Sequence, residues 1–468
     1  MTMPDGFLIA YIVVAVVAFL TYIPRLTGFF YAFKKPPYRP AKERRKIGII
    51  VPARNESKVI GDLLDSIRNQ DYDGPFSVNV IVKDENDPTV ELAGAAGAKV
   101  YVVPDQNCKG DALDGFFQAL SPEELESYDA FVIVDADGVL SPAYVRELNN
   151  ALEWDYDIYL TRKYMKNGLG DRKKRTVFSN NSALTWAMLD DLGNRYRTAK
   201  DIPLTMCGQG MMLRRSLIQK LGGWPYRTFT EDYELRLDSV LKGFKSMYWP
   251  YAVLYTEEAP GHRDNFRRRM RWLTGYIQCD EKYKSQIKAQ AKERGWMTTA
   301  ERDCLYGVYP LALFVAGTIF TLVAGIVLAI GYAFARETEL MFRSVFFLIV
   351  MPFAIMYVLL LLYNILAMTA SREAFAVLSR GEKAATLLIA PFYLLEYIPI
   401  YIVSFYRLKR KARIAWEESE RQNYRSAAEN ASDAYSKSDA YSKTEDAKKD
   451  SDASLPQPSN TKENKEDN

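Results

Sequence analysis

Apolar stretches lie near both ends of this 468-residue chain, and most of its charge lies between and beyond them. The segment from Phe7 to Leu26 carries no charge before Arg25 and reaches the roughly 20 residues that a spanning helix needs. Three further apolar segments follow, at about 308–334, 345–368 and 384–405. The pattern predicts a multi-pass membrane protein with a large polar insert.

The first apolar segment is predicted to be a retained anchor, because it lacks the marks of a cleaved leader. Only Asp5 precedes it, where a secretory signal carries basic residues, and no Ala-x-Ala site follows it. Seven Lys and Arg residues then lie between positions 34 and 46. Basic residues beside a span favour the cytoplasmic side, so the N-terminus is predicted outside and the insert in the cytosol.

Charge and residue counts exclude several classes of function. The 61 Lys and Arg residues nearly balance 58 Asp and Glu residues, so no nucleic-acid partner is expected. Four scattered cysteines without a CxxC pair argue against a disulfide framework and a structural zinc site. A single histidine, His262, excludes a metal site built from several histidines.

The polar insert has the pattern of an α/β domain. Short β-branched runs, IGIIV, VNVIV, AKVYVV and AFVIV, alternate with helical stretches that begin near Glu56, Pro88, Gly110 and Pro142. Continuous apolar runs of this length are typical of strands buried on both faces of a mostly parallel sheet. Binding sites in such sheets lie at the carboxyl ends of the strands, so the residues that end each run become the candidates.

The rest of the chain divides by composition. NFRRRMRWLTGYIQ places apolar residues at helical spacing among arginines, which is typical of a helix in the membrane interface. Pro391 and Pro399 suggest that the last apolar segment could be re-entrant, which would keep the basic residues after it in the cytosol. The predicted parts are an anchor at 1–33, a cytosolic domain at 34–264, amphipathic interface helices at 265–304, about three spans at 305–411 and a disordered polar tail at 412–468.

Polar side chains follow the first two predicted strands. The first ends in VPARNE, which carries Pro52, Asn55 and Glu56, and Asp84 is the first acid after the second. Asn55 is suited to a binding loop or to capping the helix that follows it. Asp84 is suited to a contact with a nucleobase or ribose or to a plain turn. Both alternatives stay open for each residue. Lys109 and Gly110 open a later helix, and a lysine at a helix start suits a pyrophosphate.

The fourth strand ends in FVIVDADG, which delivers Asp135 and Asp137 to its carboxyl end with the small Ala136 between them. One of the two carboxylates is expected to contact a metal and the other a ribose or a metal-bound water. Hard carboxylates favour Mg²⁺ or Mn²⁺ held mainly through substrate phosphates. An Asp-x-Asp at a strand end also occurs in phosphotransferases and in plain turns.

Two later motifs lie toward the membrane end of the insert. In TED, Asp232 is a candidate general base at a helix start, and the alternative is ordinary acidic capping. In RRMRW, Arg271 suits a leaving diphosphate and Trp272 suits a sugar ring. The alternative for this pair is a snorkelling arginine in an aromatic membrane belt.

In this order, between an anchor and several spans, these motifs resemble the inverting family 2 glycosyltransferases of the membrane-integrated kind. The resemblance is carried by VPARNE, Asp84, the Lys109-Gly110 pair, DAD at 135–137, CGQG at 207–210, TED at 230–232 and RxxRW at 268–272. It implies a GT-A-type nucleotide-diphosphosugar domain, Rossmann-like with a mostly parallel sheet. This domain is inserted between an N-terminal transmembrane helix and a C-terminal bundle of transmembrane and interface helices.

The resemblance also assigns roles. The implied nucleotide-sugar contacts are Pro52, Asn55, Glu56, Asp84, Lys109, Gly110, Asp135, Ala136 and Asp137, with Asp135 and Asp137 as ligands of Mg²⁺ or Mn²⁺. The implied catalytic residues are Glu231, Asp232, Arg271 and Trp272, with Asp232 as the base that deprotonates the acceptor hydroxyl. Cys207, Gly208 and Gln209 are the implied acceptor contacts.

The expected activity is transfer from a UDP-sugar to a hydroxyl of a growing glycan, at the plasma membrane and from the cytosolic side. Polysaccharide synthases usually have Gln where this chain has Arg268, whereas ceramide-glucosyltransferase-like members accept Arg there. DENDPT also departs from the usual DDGSTD form. A single-addition glycolipid transferase is therefore the alternative, and a catalytically silent membrane scaffold is the alternative from another class. The expected partners are donor, glycan or lipid acceptor, and membrane lipid, with the oligomeric state left open.

Overall fold

The computed structural model describes residues 3–26, 28–34, 36–169, 171–307 and 309–410, so the predicted tail at 412–468 lies outside the described residues. The strands are β1 (Ile47–Pro52), β2 (Phe76–Val82), β3 (Lys99–Val102), β4 (Ala130–Ile133), β5 (Val139–Leu140), β6 (Ile158–Met165), β7 (Met211–Arg214) and β8 (Ser246–Thr256).

The helices of the N-terminal segment and the α/β domain are α1 (Met3–Leu26), α2 (Gly28–Ala32), α3 (Ile60–Arg68), α4 (Thr89–Ala95), α5 (Lys109–Ala119), α6 (Pro122–Glu126), α7 (Tyr144–Ala151), α8 (Val177–Ala187), α9 (Arg195–Ala199), α10 (Arg215–Leu221) and α11 (Glu231–Lys242). The C-terminal helices are α12 (His262–Arg294), α13 (Thr299–Tyr306), α14 (Tyr309–Phe334), α15 (Thr338–Ser344), α16 (Met351–Ala370), α17 (Arg380–Leu395) and α18 (Tyr397–Lys409). A 3₁₀ turn lies at Arg172–Lys174, and π-helical segments lie at Met188–Asn194 and Val345–Val350.

All eight strands form one sheet in the order β3-β2-β1-β4-β7-β6-β8-β5. The pairs β3–β2, β2–β1, β1–β4 and β6–β8 are parallel, so the expected parallel arrangement is confirmed for the first four predicted strands. Strand β7 is antiparallel to both of its neighbours, and β5 is antiparallel to β8. The result is the mixed sheet of a GT-A-type domain, in which the carboxyl ends of β1, β2 and β4 share one edge.

The continuous apolar runs of the sequence are strands covered on both faces. In β1, Ile49 packs into a layer with Leu63 of α3, while its neighbour Ile50 packs into the opposite layer with Phe116 of α5. Successive side chains of a strand point to opposite faces, so a strand covered on both sides needs apolar residues at every position.

The loop after β1 differs from the sequence-based expectation. Helix α3 begins at Ile60, not near Glu56. Asn55 has a left-handed backbone (φ 58), and its N–H donates to Asp87 Oδ2 at 2.7 Å, while the Glu56 N–H donates to Thr89 Oγ1 at 3.2 Å. Asn55 therefore does not cap a helix. Its loop is instead held against the loop that follows β2.

Among the described residues, three helical segments, Ala312–Phe334, Thr338–Ala370 and Arg380–Lys409, are long and apolar enough to cross a membrane, whereas the predicted anchor provides a shorter apolar helix at Pro4–Leu20. Helix α1 packs against α14, where the Tyr11 hydroxyl lies 3.3 Å from Thr318 Oγ1. The last segment does not fold back at its prolines, because Glu396 between α17 and α18 keeps a helical backbone (φ −62, ψ −19). The re-entrant alternative itself stays a prediction.

The predicted amphipathic segment is a single 33-residue helix, α12, which packs against α11 of the α/β domain and against α18. Arg269, one of the arginines of this segment, is only 1% exposed, donates to the Tyr393 carbonyl at 2.9 Å and forms an ion pair with Glu396. This ion pair ties α12 to the last spanning segment.

Candidate active site

A lysine and two motif acids meet around one glycine. Lys109 Nζ lies 2.6 Å from Asp135 Oδ1 and donates to the Gly208 carbonyl at 3.1 Å. The Gly208 N–H in turn donates to Asp232 Oδ2 at 2.5 Å. Motifs separated by about 120 residues in the sequence are thus joined by consecutive hydrogen bonds. We call Lys109, Asp135, Gly208, Glu231 and Asp232 the central cluster.

The TED acids open helix α11. Asp232 Oδ1 accepts a hydrogen bond from the Tyr233 N–H at 2.7 Å, so both of its oxygens are held by backbone donors. Burial raises the pKa of Asp232, and burial together with the charge of Asp232 raises the pKa of Glu231 to about 7. Burial opposes the charge of Lys109, but Asp135 and Glu231 outweigh it and raise the pKa of the ammonium. Glu231 thus titrates near neutrality beside Lys109, and the pKa of Asp232 is raised as well.

The DAD turn continues from β4. Ala136 packs into the core between the two acids, and Asp137 is buried. Lys166, which has no exposed surface, donates to the Asp137 carbonyl at 3.3 Å and lies 3.0 Å from Asp62 Oδ2. A buried ammonium thus anchors the backbone of this turn.

Asp135 and Asp137 are the carboxylates expected to bind a divalent cation. In the part of the chain that the structure describes, no group of three or more His, Cys, Asp or Glu side chains is arranged to hold a metal ion. Mg²⁺ and Mn²⁺ sites of phosphate-bearing substrates use one or two carboxylates and take the remaining ligands from phosphates and water. Two carboxylates at a strand end fit that mode of binding, which does not need a complete set of protein ligands.

The loop of the predicted acceptor contacts lines the central cluster. A methyl group on Gly208 would lie 3.0 Å from Glu231 Oε1 and 3.1 Å from Lys109 Nζ, so a larger residue would crowd the cluster. The Gln209 amide lies beside Gly138 of the DAD turn. Burial raises the pKa of the Cys207 thiol, which keeps it protonated and argues against a nucleophilic role.

The predicted residues of the β1 and β2 loops lie at the same sheet edge, farther out. Asp84 is exposed, and its Oδ1 accepts hydrogen bonds from the N–H and the side-chain amide of Asn86, which lower its pKa. Pro52 ends β1, and Glu56 is buried against the β2 loop. Gly110 has a packing role, because a Cβ there would lie 2.0 Å from the Tyr226 carbonyl.

Helix α12 carries the last motif and contacts the residue before the TED acids. A methyl group on Gly275 would lie 2.6 Å from Thr230 Oγ1, so α12 runs in close contact with the residue before the TED acids. Arg271 and Trp272 precede Gly275 by four and three residues and therefore lie on the same side of the helix. Both side chains are partly exposed. Along α12 they lie about one helical turn before Gly275, the residue that contacts Thr230.

Two residues of this region were not predicted from the sequence. The rings of Trp186 on α8 and Trp272 meet at a centroid distance of 5.3 Å, and the buried Glu258 accepts a hydrogen bond from the Trp186 indole. Glu258 follows β8 closely, and the rule that strand ends supply site residues could have marked it. Trp186 lies among apolar helix residues and has no comparable signal.

Comparison with known proteins gives a family match. The profile of the family described as glycosyl transferase family group 2 matches residues 130–370, which is just over half of the chain. The match includes the DAD, CGQG, TED and RxxRW segments and the first spanning segments after them. The β1 and β2 loops lie before it.

Curated relatives are distant. The chain is 25% identical over 288 residues to the probable glycosyltransferase YdaM of Bacillus subtilis, covering 60% of this chain and 66% of that protein. It is 22% identical over 256 residues to the poly-beta-1,6-N-acetyl-D-glucosamine synthase of Staphylococcus aureus, covering 52% of this chain and 58% of that protein. The chain therefore spans less than two thirds of the length of these relatives.

Among solved structures, the chain is similar to the mannosyltransferase PcManGT from Pyrobaculum calidifontis, in complex with GDP-Man and Mn²⁺. The TM-score is 0.48 and the identity 20%, with 78% of this chain and 98% of that chain covered. A likeness at this level assigns no role to any residue.

Proposed function

This chain belongs to glycosyl transferase family group 2, and on that ground we propose that it transfers the sugar of a UDP-sugar to a hydroxyl of a growing glycan, with inversion at the anomeric carbon. The observation that carries the proposal is the central cluster, where Lys109 and Asp232 meet at opposite sides of Gly208. A cation for a leaving diphosphate and a base for an attacking hydroxyl are thereby within one small volume.

Asp232 is the proposed general base. Its raised pKa brings it closer to neutrality, where a carboxylate accepts a proton most effectively. The two backbone N–H groups that bind it fix its direction. The acceptor oxygen forms a bond to the anomeric carbon as its proton passes to Asp232. The bond between that carbon and the diphosphate oxygen breaks, and its electron pair leaves with UDP.

Lys109 and Arg271 are proposed to offset the charge that develops on departing UDP. Lys109 is already held by the acids of the cluster, so no reorganisation is needed to bring positive charge to the site. The planar guanidinium of Arg271 suits two phosphate oxygens at once. A divalent cation held by Asp135 and Asp137 would add Lewis-acid stabilisation of the same diphosphate.

Polymer synthesis and single addition to a lipid remain the two proposed outcomes. The poly-N-acetylglucosamine synthase among the relatives supports the first. For the second, an apolar cavity of about 190 Å³ lies between α14, α16 and the last segment, bounded by Leu322, Met356 and Ile398 among others. A cavity of this kind suits the hydrocarbon of a lipid acceptor, and Arg268 in place of Gln favours the same outcome.

Location and domain limits are part of the proposal. Three candidate spans support a multi-pass protein, and the basic residues after the anchor support a cytosolic catalytic domain at the plasma membrane. The proposed limits are an anchor at 1–33, a catalytic domain at 34–264, interface helices at 265–304 and spans at 305–411.

The proposal is tested with the full chain in lipid vesicles, given a panel of UDP-sugars with Mn²⁺ or Mg²⁺. We expect UDP release together with labelled sugar in a product, whose size separates polymer from glycolipid. Absence of UDP release across the panel contradicts the proposal and favours the silent scaffold. Release with a different base on the nucleotide corrects the donor and leaves the transfer chemistry in place.

Replacing Asp137 by Ala is expected to weaken UDP binding by about fivefold, roughly 1 kcal/mol, when Mn²⁺ is present. The lost contact is one bridged by the cation, so a chelator should remove most of the difference. Calorimetric titration of UDP with and without chelator measures both effects. Asp129→Ala, at the opposite end of β4, is the matched control. Additive losses from chelator and substitution would show that Asp137 is not a ligand.

The pH profile should report the acid pair. The base acts when deprotonated, and the pair holds a proton below the Glu231 pKa of about 7. Transfer measured as kcat/KM should therefore rise with pH through about 7. Glu231→Gln removes one of two like charges and should move this rise to lower pH. An unchanged profile in that variant would assign the titration to another group.

A further inference from the structure

Glu258 is a fully buried carboxylate just beyond the end of β8. Its Oε2 accepts from Ser182 Oγ at 2.5 Å and from Arg268 Nη1 at 3.3 Å. Its Oε1 accepts from Trp186 Nε1 at 2.7 Å and from Thr256 Oγ1 at 3.1 Å. Four donors from three elements, α8, β8 and α12, thus converge on one side chain.

The backbone of Glu258 is fixed as firmly as its carboxylate. Its N–H donates to Asn167 Oδ1 at 2.7 Å, and its carbonyl accepts from Asn167 Nδ2 at 2.8 Å. Burying an ionised carboxylate costs several kcal/mol unless hydrogen bonds and a cation satisfy it. The donors here meet that requirement, and as a result α8 and α12 are held at a defined distance from each other.

One of those donors, Trp186, belongs to an aromatic pair at the candidate site, and a second, Arg268, lies against that pair. Trp186 and Trp272 meet edge to face, at 65° and 5.3 Å between ring centroids. The Arg268 guanidinium, which Glu258 binds, also lies 4.9 Å from the Trp272 ring centroid. Glu258 therefore acts on Trp272 twice, through the Trp186 ring and through Arg268.

We propose that Glu258 is a positioning residue that holds the Trp186–Trp272 pair in the orientation that receives the acceptor sugar, with Trp186 as a second aromatic contact of that subsite. The inference rests on the proposed function. Indole rings present large apolar faces and suit the C–H faces of a pyranose, while their geometry is set by neighbouring hydrogen bonds. A loosened pair leaves the donor site intact and lets water compete with the acceptor for the anomeric carbon.

The decisive measurement is the amount of sugar incorporated per UDP released, in membrane vesicles that contain the full chain and their own acceptor. Glu258→Gln keeps the size of the side chain but places a donor where Arg268 and Ser182 already donate. We expect incorporation per UDP to fall by at least about threefold, with UDP affinity changed by less than about twofold. Trp186→Phe, which removes the indole N–H, should lower the same ratio and serves if the first variant does not fold.

A double-mutant cycle separates positioning from a general loss of structure. If Glu258 acts through Trp186, the Glu258→Gln/Trp186→Phe protein should lose little more than the worse single variant. Independent, additive losses overturn the proposal. Glu301→Gln is the matched control, because Glu301 is also buried and binds an arginine, Arg294, away from the site. It should leave incorporation per UDP unchanged.

The outcomes also separate this inference from the proposed function. An unaltered chain that releases no UDP from any UDP-sugar overturns the proposed function, and this inference falls with it. An active unaltered chain whose Glu258→Gln variant loses UDP affinity and incorporation in equal measure leaves the proposed function in place. That second result overturns the positioning role alone.

Discussion

Replacing Asp232 by Asn is expected to lower sugar transfer by about 10²–10⁴-fold while UDP still binds. The amide cannot accept the proton of the acceptor hydroxyl, but its oxygen still accepts a backbone N–H. Gly208 and Tyr233, whose N–H groups now bind the carboxylate, therefore keep part of their contacts. Labelled sugar transfer and UDP titration, measured on the same vesicles, check the two halves of this expectation.

The matched control for Asp232→Asn is Asp238→Asn on the same helix. Asp238 is also buried, and it binds the Tyr226 hydroxyl and Lys242 away from the central cluster. It should cost stability without lowering transfer per folded molecule. Near wild-type transfer by the Asp232 variant would return Asp232 to the role of a helix cap.

Arg271→Lys and Trp272→Phe are each expected to lower turnover by at least about tenfold, roughly 1.4 kcal/mol of transition-state stabilisation. Lysine keeps the charge but cannot reproduce a forked contact with diphosphate. Phenylalanine keeps an aromatic ring but is smaller than the indole that packs against Trp186. Both changes preserve what an interfacial helix needs, so membrane insertion and yield should be unchanged.

Arg267→Lys and Trp296→Phe are the matched controls for this pair. Arg267 is exposed on the same helix, and Trp296 is 61% exposed beyond its end. Turnover per inserted molecule should stay near wild type in both. Full activity of the Arg271 and Trp272 variants as well would identify RMRW as a membrane belt and remove these two residues from the site.

The sequence alone determined the architecture and most of the chemistry-bearing positions. Runs such as AFVIV are apolar at every position because the sheet is covered on both faces. This local pattern can be recognised in the sequence without a structure. The acids that end or follow such runs, Asp135 among them, were found because parallel strands present their carboxyl ends at one edge. Helix length and hydropathy likewise identified the three C-terminal segments that are long and apolar enough to span a membrane.

Only the tertiary structure decided which of these residues meet. The hydrogen bonds of Gly208 with Lys109 and Asp232 join three distant parts of the chain, and no local pattern encodes such distances. Arg269 looked like one more basic residue of an interfacial helix, yet the packing of α12 on α18 buries it against Glu396. The role proposed for Glu258 likewise depends on hydrogen-bond donors from three elements. Periodicity is a property of neighbouring residues, whereas burial and pairing depend on how elements pack, and packing is settled by the whole chain.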